Sequence, residues 1–215
     1  MHTTKMARAG VLGFLVLGAC ANAQPGSEAP DGSTAGQVVT EATVAMECQP
    51  SPRMPVEGRA SPYDSATVQV GDQALKVCYG RPSARDREIF GGLVPLGQLW
   101  RTGANEPTIL HVPFTAEIAG IRVDPGSYSM YTEPGEVEWV VIVNRATDQW
   151  GHESSYTDEV RAQEVGRGTA PTERLDQHME QFTIRGEETA AGADLLLEWE
   201  RTRVRIPVRV VATGG

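Results

Sequence analysis

Residues 117–144 read EIAGIRVDPGSYSMYTEPGEVEWVVIVN, and their pattern decides the fold. Three short runs, 117–123, 127–132 and 137–144, are separated by Asp124-Pro125-Gly126 and Glu133-Pro134-Gly135. Proline presets the φ of a turn's first corner and glycine supplies the positive φ of the next, so each triplet reads as a tight turn. The runs carry the β-branched and aromatic residues that suit a pleated surface. The stretch is therefore expected to be a β-meander. Working outward, 67–70 and 75–79 flank Gly71-Asp72 and read as a hairpin, and 108–112 reads as a further strand. Strands are also expected at 158–165, 179–185 and 193–199. The clearest alternation closes the chain. Val204, Ile206, Val208 and Val210 interleave with Arg203, Arg205, Pro207 and Arg209, which predicts one buried and one solvated face. The three arginines are read as that wet face, with an anion-binding patch as the alternative. Pro207 suggests an edge or a bulge. No window of a dozen residues makes a convincing amphipathic helix, although Glu173 to Gln181 could form a turn or two. Nine or ten short strands predict an all-β domain, a β-sandwich or jelly roll over 61–211. A domain of that size buries roughly 70% of its unfolded surface and folds without staples.

The N-terminus bears on compartment. Lys5 and Arg8 precede an apolar run from Gly10 to Leu17 that is too short to span a bilayer, which needs about 20 apolar residues. Residues 1–19 therefore read as a signal peptide. Leu17-Gly18-Ala19-Cys20 resembles a lipobox, in which Cys20 is acylated and anchors the chain to a membrane. Ala21-Asn22-Ala23 offers a rival cut that would release a soluble secreted protein. Either reading exports the chain, to the bacterial cell envelope (periplasm or outer membrane) or beyond. Residues 20–60, rich in Ala, Gly, Pro, Ser, Thr and acids, read as a flexible linker with some order after Cys48.

The formal net charge is −9, and −11 once Lys5 and Arg8 are removed. Nucleic-acid binding needs a basic stripe to neutralise phosphates, so this class is set aside. Of the three cysteines, Cys20 is taken by the lipid or the cut. Cys48 and Cys78 are left to pair in an oxidising compartment or to stand as free thiols. A disulfide would add roughly 3 kcal/mol.

Residues 80–107 form a long connection without a strand pattern, and such segments tend to be functional. Ile89, Phe90, Leu93, Val94, Leu96, Leu99 and Trp100 mark this one as packed. The sequence RPSARDREIFGGLVPLGQLWRTGANEPT (81–108) resembles the signature of the bacterial domain-of-unknown-function family 2911 (DUF2911). PGSYSMYTEPGEVEWVVIVNRATDQWG (125–151) and LLLEWERTRVRIPV (195–208) fit the same pattern, over about 61–210. The resemblance implies a secreted or lipid-anchored, β-rich domain and no particular activity. Cys78 stands where that pattern suggests a polar residue, so the resemblance says nothing about a disulfide.

Within the long connection, Arg101 to Glu106 is the best candidate site. Gly103 permits a sharp turn, which would crowd the donors and acceptors of Arg101, Asn105 and Glu106. With Arg81, Arg87 and an aromatic floor of Trp100 and Trp150, it could bind a carbohydrate or another small polar ligand, because sugar C–H groups stack on rings while amides and guanidinium groups bond hydroxyls. The plainer reading is a buried Arg–Glu network that holds the loop. A third is hydrolysis of glycans with Glu106 as acid/base, which requires a second carboxylate, such as Glu88, Asp148 or Glu153, about 5–5.5 Å away. A binding module is expected over an enzyme, and a structural or protein-partner module stays open. No cofactor motif is present. His152 and Asp148 are weak metal candidates, and His111 is more simply a packed strand residue, since no ligand spacing supports a metal centre.

Overall fold

The computed structural model describes residues 46–212. The proposed signal peptide, Cys20, the rival cut after Ala23 and the first part of the linker lie outside the described residues. Among the described residues nine strands follow in chain order: β1 (Tyr63–Val70), β2 (Gln73–Gly80), β3 (Thr108–Val112), β4 (Ala116–Ile118), β5 (Ile121–Val123), β6 (Gly126–Glu133), β7 (Glu138–Asn144), β8 (Glu164–Thr189) and β9 (Gly192–Val210). Among the described residues helix is confined to a 3-10 turn at Glu153–Ser155 and a single turn, α1 (Asp158–Arg161). The strands make one antiparallel sheet in the order β1-β2-β3-β6-β7-β8-β9-β4-β5, an all-β fold.

The sheet doubles over because β8 changes partner along its length. Residues 164–171 pair with β7, and from Thr172 onward β8 pairs with β9. The end of β9, released from β8 beyond Val204, pairs instead with β4 from Val208. Pro207 falls in the gap between these two partners, where the missing N–H costs no ladder bond. The β4–β5 hairpin then lies over the first half of β8. A Cβ on Gly168 would sit 1.9 Å from the Ala119 carbonyl oxygen, so only glycine admits this approach. On the other side, the chain leaving β2 bonds to the second half of β8: Ala84 N–H donates to the Glu180 carbonyl and Phe182 N–H to the Pro82 carbonyl, each at 2.8 Å. The two halves enclose a core of Val68, Val77, Leu110, Val141 and Leu197 with an aromatic cluster of Phe90, Trp100, Trp139, Phe182 and Trp199.

Several elements differ from the sequence expectations. The run 117–123 is two strands, because Ala119 and Gly120 both take positive φ and turn the chain back. Residues 158–161 form a helical turn capped by the Thr157 hydroxyl, and the strand begins only at Glu164. Glu173 to Gln181 is not helical; it belongs to β8 at a double register shift between Arg174 and Thr183. The strands expected at 193–199 and 204–210 are one 19-residue strand. Core-facing parity changes within it, from Leu195, Leu197 and Trp199 to Val204, Ile206 and Val208. Glu200, at φ 50°, marks the switch, and it lies opposite the register shifts at which β8 carries the extra residues. Arg203, Arg205 and Arg209 each pair with carboxylates: Arg203 with Glu198 and Glu173, Arg205 with Glu173, Glu187 and Asp194, and Arg209 with Glu117.

Candidate functional site

The outward face of β1, β2, β3, β6 and β7 is covered by two segments without strand structure. One is residues 46–60, here called the strap. The other is residues 145–163, which pack Tyr156 and Val160 against Tyr131 and Ile142. Between them lies a cavity of about 540 Å³, within the range of small-molecule sites, roughly 300–1,000 Å³. Its floor is Tyr63 of β1, Ile109 and His111 of β3 and Ser127 of β6. Strand alternation sends these four side chains away from the core, and the register places His111 opposite Ser127. One wall is Glu47, Gln49, Pro50, Ser51, Pro52 and Arg53 of the strap, and the other is Glu106 with Thr147, Asp148 and Gln149.

The strap is held at defined points. Cys48 is bonded to Cys78 of β2, which is almost fully buried and directly opposite Ile109. Glu106 supplies the second hold. One of its carboxylate oxygens accepts the Ser51 N–H at 2.8 Å, and the Arg59 Nη1 donates at 2.9 Å. The Arg59 side chain is 1% exposed and spends its other donors on the Pro55 and Met54 carbonyls. Asn105 Nδ2 adds a bond to the Ser61 carbonyl. Glu106 is therefore a clamp between the long connection and the strap, with both faces of its carboxylate engaged by protein donors.

The opposite wall rests on the same connection. Gly151 N–H donates to the Asn105 carbonyl at 3.1 Å, and a Cβ at Gly151 would meet that oxygen at 2.3 Å. Thr102 and Asn105 hold positive φ, which is strained for a β-branched residue such as Thr102. Buried bonds offset that strain: Thr108 Oγ1 donates to the Thr102 carbonyl, and the hydroxyls of Thr102 and Thr132 lie 3.0 Å apart. Gln149 Nε2 donates to the Ala146 carbonyl, the Tyr131 hydroxyl and the Ser129 hydroxyl. The Ala146 carbonyl can only accept, which fixes the amide's orientation. Among the described residues, Gln149 Oε1 and Arg101 Nε are buried side-chain polar atoms without a protein partner.

The charge state of the floor follows from its surroundings. Burial, then the Glu106 carboxylate, push the Tyr63 hydroxyl up to about 12. Burial, then nearby Lys76, hold the His111 imidazole below its ordinary value, and its Nδ1 lies 2.8 Å from the Ser127 hydroxyl. Both groups are uncharged at neutral pH, and each can donate or accept.

The residues singled out in the sequence divide into three places. Glu106 and Asp148 line the cavity, while Arg101, Asn105 and the 148–151 turn pack together beside it. Trp100, 5% exposed, stacks on Trp199 in the core and offers no platform to the cavity. Trp150 is half-buried and does not line it. Arg81 bonds Asp64, the Phe182 carbonyl and Thr183, and Arg87 bonds the carbonyls of Ser83 and Ala84, so both brace the connection. His152 is exposed and bonds Ser154, and among the described residues no group of three His, Cys, Asp or Glu gathers as a metal would require. Sequence reasoning passed over Tyr63, Ser127, Gln149 and the strap. The outward positions of the strands signalled the first two; for the strap, Cys48 and the order expected after it were the only signals, and they did not show that it walls a cavity.

No curated protein and no solved structure is significantly similar to this chain. One protein family is, described as a protein of unknown function (DUF2911), and its pattern matches residues 61–208, from the start of β1 to near the end of β9. The match spans well over half of the sequence and both halves of the folded sheet: the chain belongs to the DUF2911 family.

Proposed function

We propose that this protein is an exported, lipid-anchored module of the bacterial cell envelope that binds a small polar ligand in the cavity between the strap and residues 147–149. The cavity carries the reading. Its volume of about 540 Å³ suits a molecule the size of a sugar, and its lining mixes apolar surface from Tyr63, Ile109 and two prolines with His111, Ser127, Asp148 and Gln149. The Asp148 carboxylate is an acceptor in the wall, which favours a ligand with hydroxyl or amine donors. Export rests on Lys5, Arg8, the short apolar run and Cys20, and the anchor makes a membrane the protein's other partner.

Hydrolysis with Glu106 as acid/base is the second reading, since Asp148 lines the same cavity. The binding reading is preferred because the Ser51 N–H and Arg59 already occupy the Glu106 carboxylate. A thermal-shift panel of mono- and disaccharides, amino sugars and polyols on the full chain tests it. At least one compound should raise Tm for the native chain and fail to do so for Ser127→Phe, which fills the floor. A panel without a single shift contradicts the reading. Mass spectrometry of the N-terminus tests the anchor: acylated Cys20 supports it, and a start at Gln24 removes it.

A further inference from the structure

We infer that the Cys48–Cys78 disulfide is a redox latch on the cavity, so that reduction frees the front of the strap and opens the site. The inference rests on the cavity being the ligand site. Residues 46–50 belong to no strand. Among the described residues they make no hydrogen bond to the sheet, and Ser51 N–H to Glu106 is the first that the strap makes. The rest of the strap is fixed independently, by Arg59 on Glu106 and by continuity into β1. One covalent bond thus holds Glu47, Gln49 and Pro50 in the wall of the cavity. The two sulfurs differ in access: Cys48 is partly exposed, while Cys78 lies buried against the sheet.

That asymmetry sets the chemistry. A thiolate of a dithiol reductant attacks the Cys48 sulfur, forms a mixed disulfide and expels the Cys78 thiolate, which takes up a proton. The second thiol of the reductant then displaces Cys48. The reductant leaves as its own disulfide, and two electrons and two protons have passed to the two cysteines. β1 and β2 keep their eight-residue ladder, so the sheet stays while the front of the strap leaves.

Alkylation of Cys78 in the full chain, read by peptide mass, measures this. After dithiothreitol treatment, Cys78 should react with iodoacetamide within about tenfold of an exposed thiol, because its cover has gone. Tryptophan emission, read in a Trp150→Phe background, should be unchanged, since Trp100, Trp139 and Trp199 sit in the core. Cys48→Ser should expose Cys78 to the same degree without reductant. A reduced Cys78 that still reacts orders of magnitude more slowly would overturn the inference, because the strap would then stay docked unaided. Loss of the tryptophan signature would overturn it too, by making the disulfide a staple of the whole fold. Neither outcome depends on a ligand. A panel without hits leaves these rates untouched, and a strap that stays docked leaves the cavity reading intact.

Discussion

Glu106 joins two parts of the chain that share no strand, and its removal should show what that junction is worth. In Glu106→Gln, Arg59 keeps its charge in a site 1% exposed and loses its counter-ion. Breaking a buried pair from one side costs about 3 kcal/mol or more, to be read as a lower urea midpoint. Gly151 answers for the other wall. Gly151→Ala places a methyl group against the Asn105 carbonyl and the Arg101 side chain, and backbone cannot yield as a side-chain end can. A loss of about 2 kcal/mol is expected from overpacking of this kind, measured by the same denaturation. Of these contacts the sequence showed some ingredients: Arg101, Asn105 and Glu106 stand close together in one short segment, and Trp150 beside Gly151 was read with them. The partner of Glu106 was not, because Arg59 lies in a stretch whose composition resembles a linker and whose order comes from contacts far away in sequence.

Strands were legible where turn chemistry and alternation agree, as in the β1–β2 hairpin and the Pro-Gly turns that bound β6. They were misjudged where a bulge intervenes. The positive φ at Glu200, opposite the register shifts in β8, conceals the continuity of β9, because the positions that face the core change parity there and so imitate a break. The same two strands carry the charged ladder of Arg185, Glu187, Glu198, Arg203 and Arg205. Burial opposes ionisation of Glu198, but hydrogen bonds from Arg185 and Arg203 outweigh it, and its carboxyl is held below the ordinary 4.5. A depressed folded value means that the unfolded chain binds protons first. The stability from this group is full above about pH 4.5 and is lost as pH falls through the folded value. Unfolding free energy should therefore drop with acid below that point. Glu198→Gln should flatten the drop, and an unaltered acid profile in that variant would deny the ladder its role.

At the scale of the molecule, the doubled sheet is a frame, and the proposed ligand cavity lies on its outer face. Chain order alone shows neither the fold-over nor the cavity. The fold-over depends on where β8 exchanges β7 for β9, and the cavity on where two coverings without strands stop short of each other. Membership of the DUF2911 family covers the frame and the wall from Glu106 to Gln149, but the matched residues begin at 61, after the strap. The strap thus lies outside the matched region, while Cys78, to which it is bonded, lies within it. The central claim is that the cavity it completes holds a ligand. Titration of the isotope-labelled full chain with the strongest compound of the sugar and polyol panel, followed by amide NMR, tests this most directly. The account predicts saturable shifts confined to residues 47–53, Tyr63, Glu106, Ile109, His111, Ser127 and 147–149. Shifts centred instead on the separate cavity near Gly135 and Thr202, or none at saturating concentration, would contradict it.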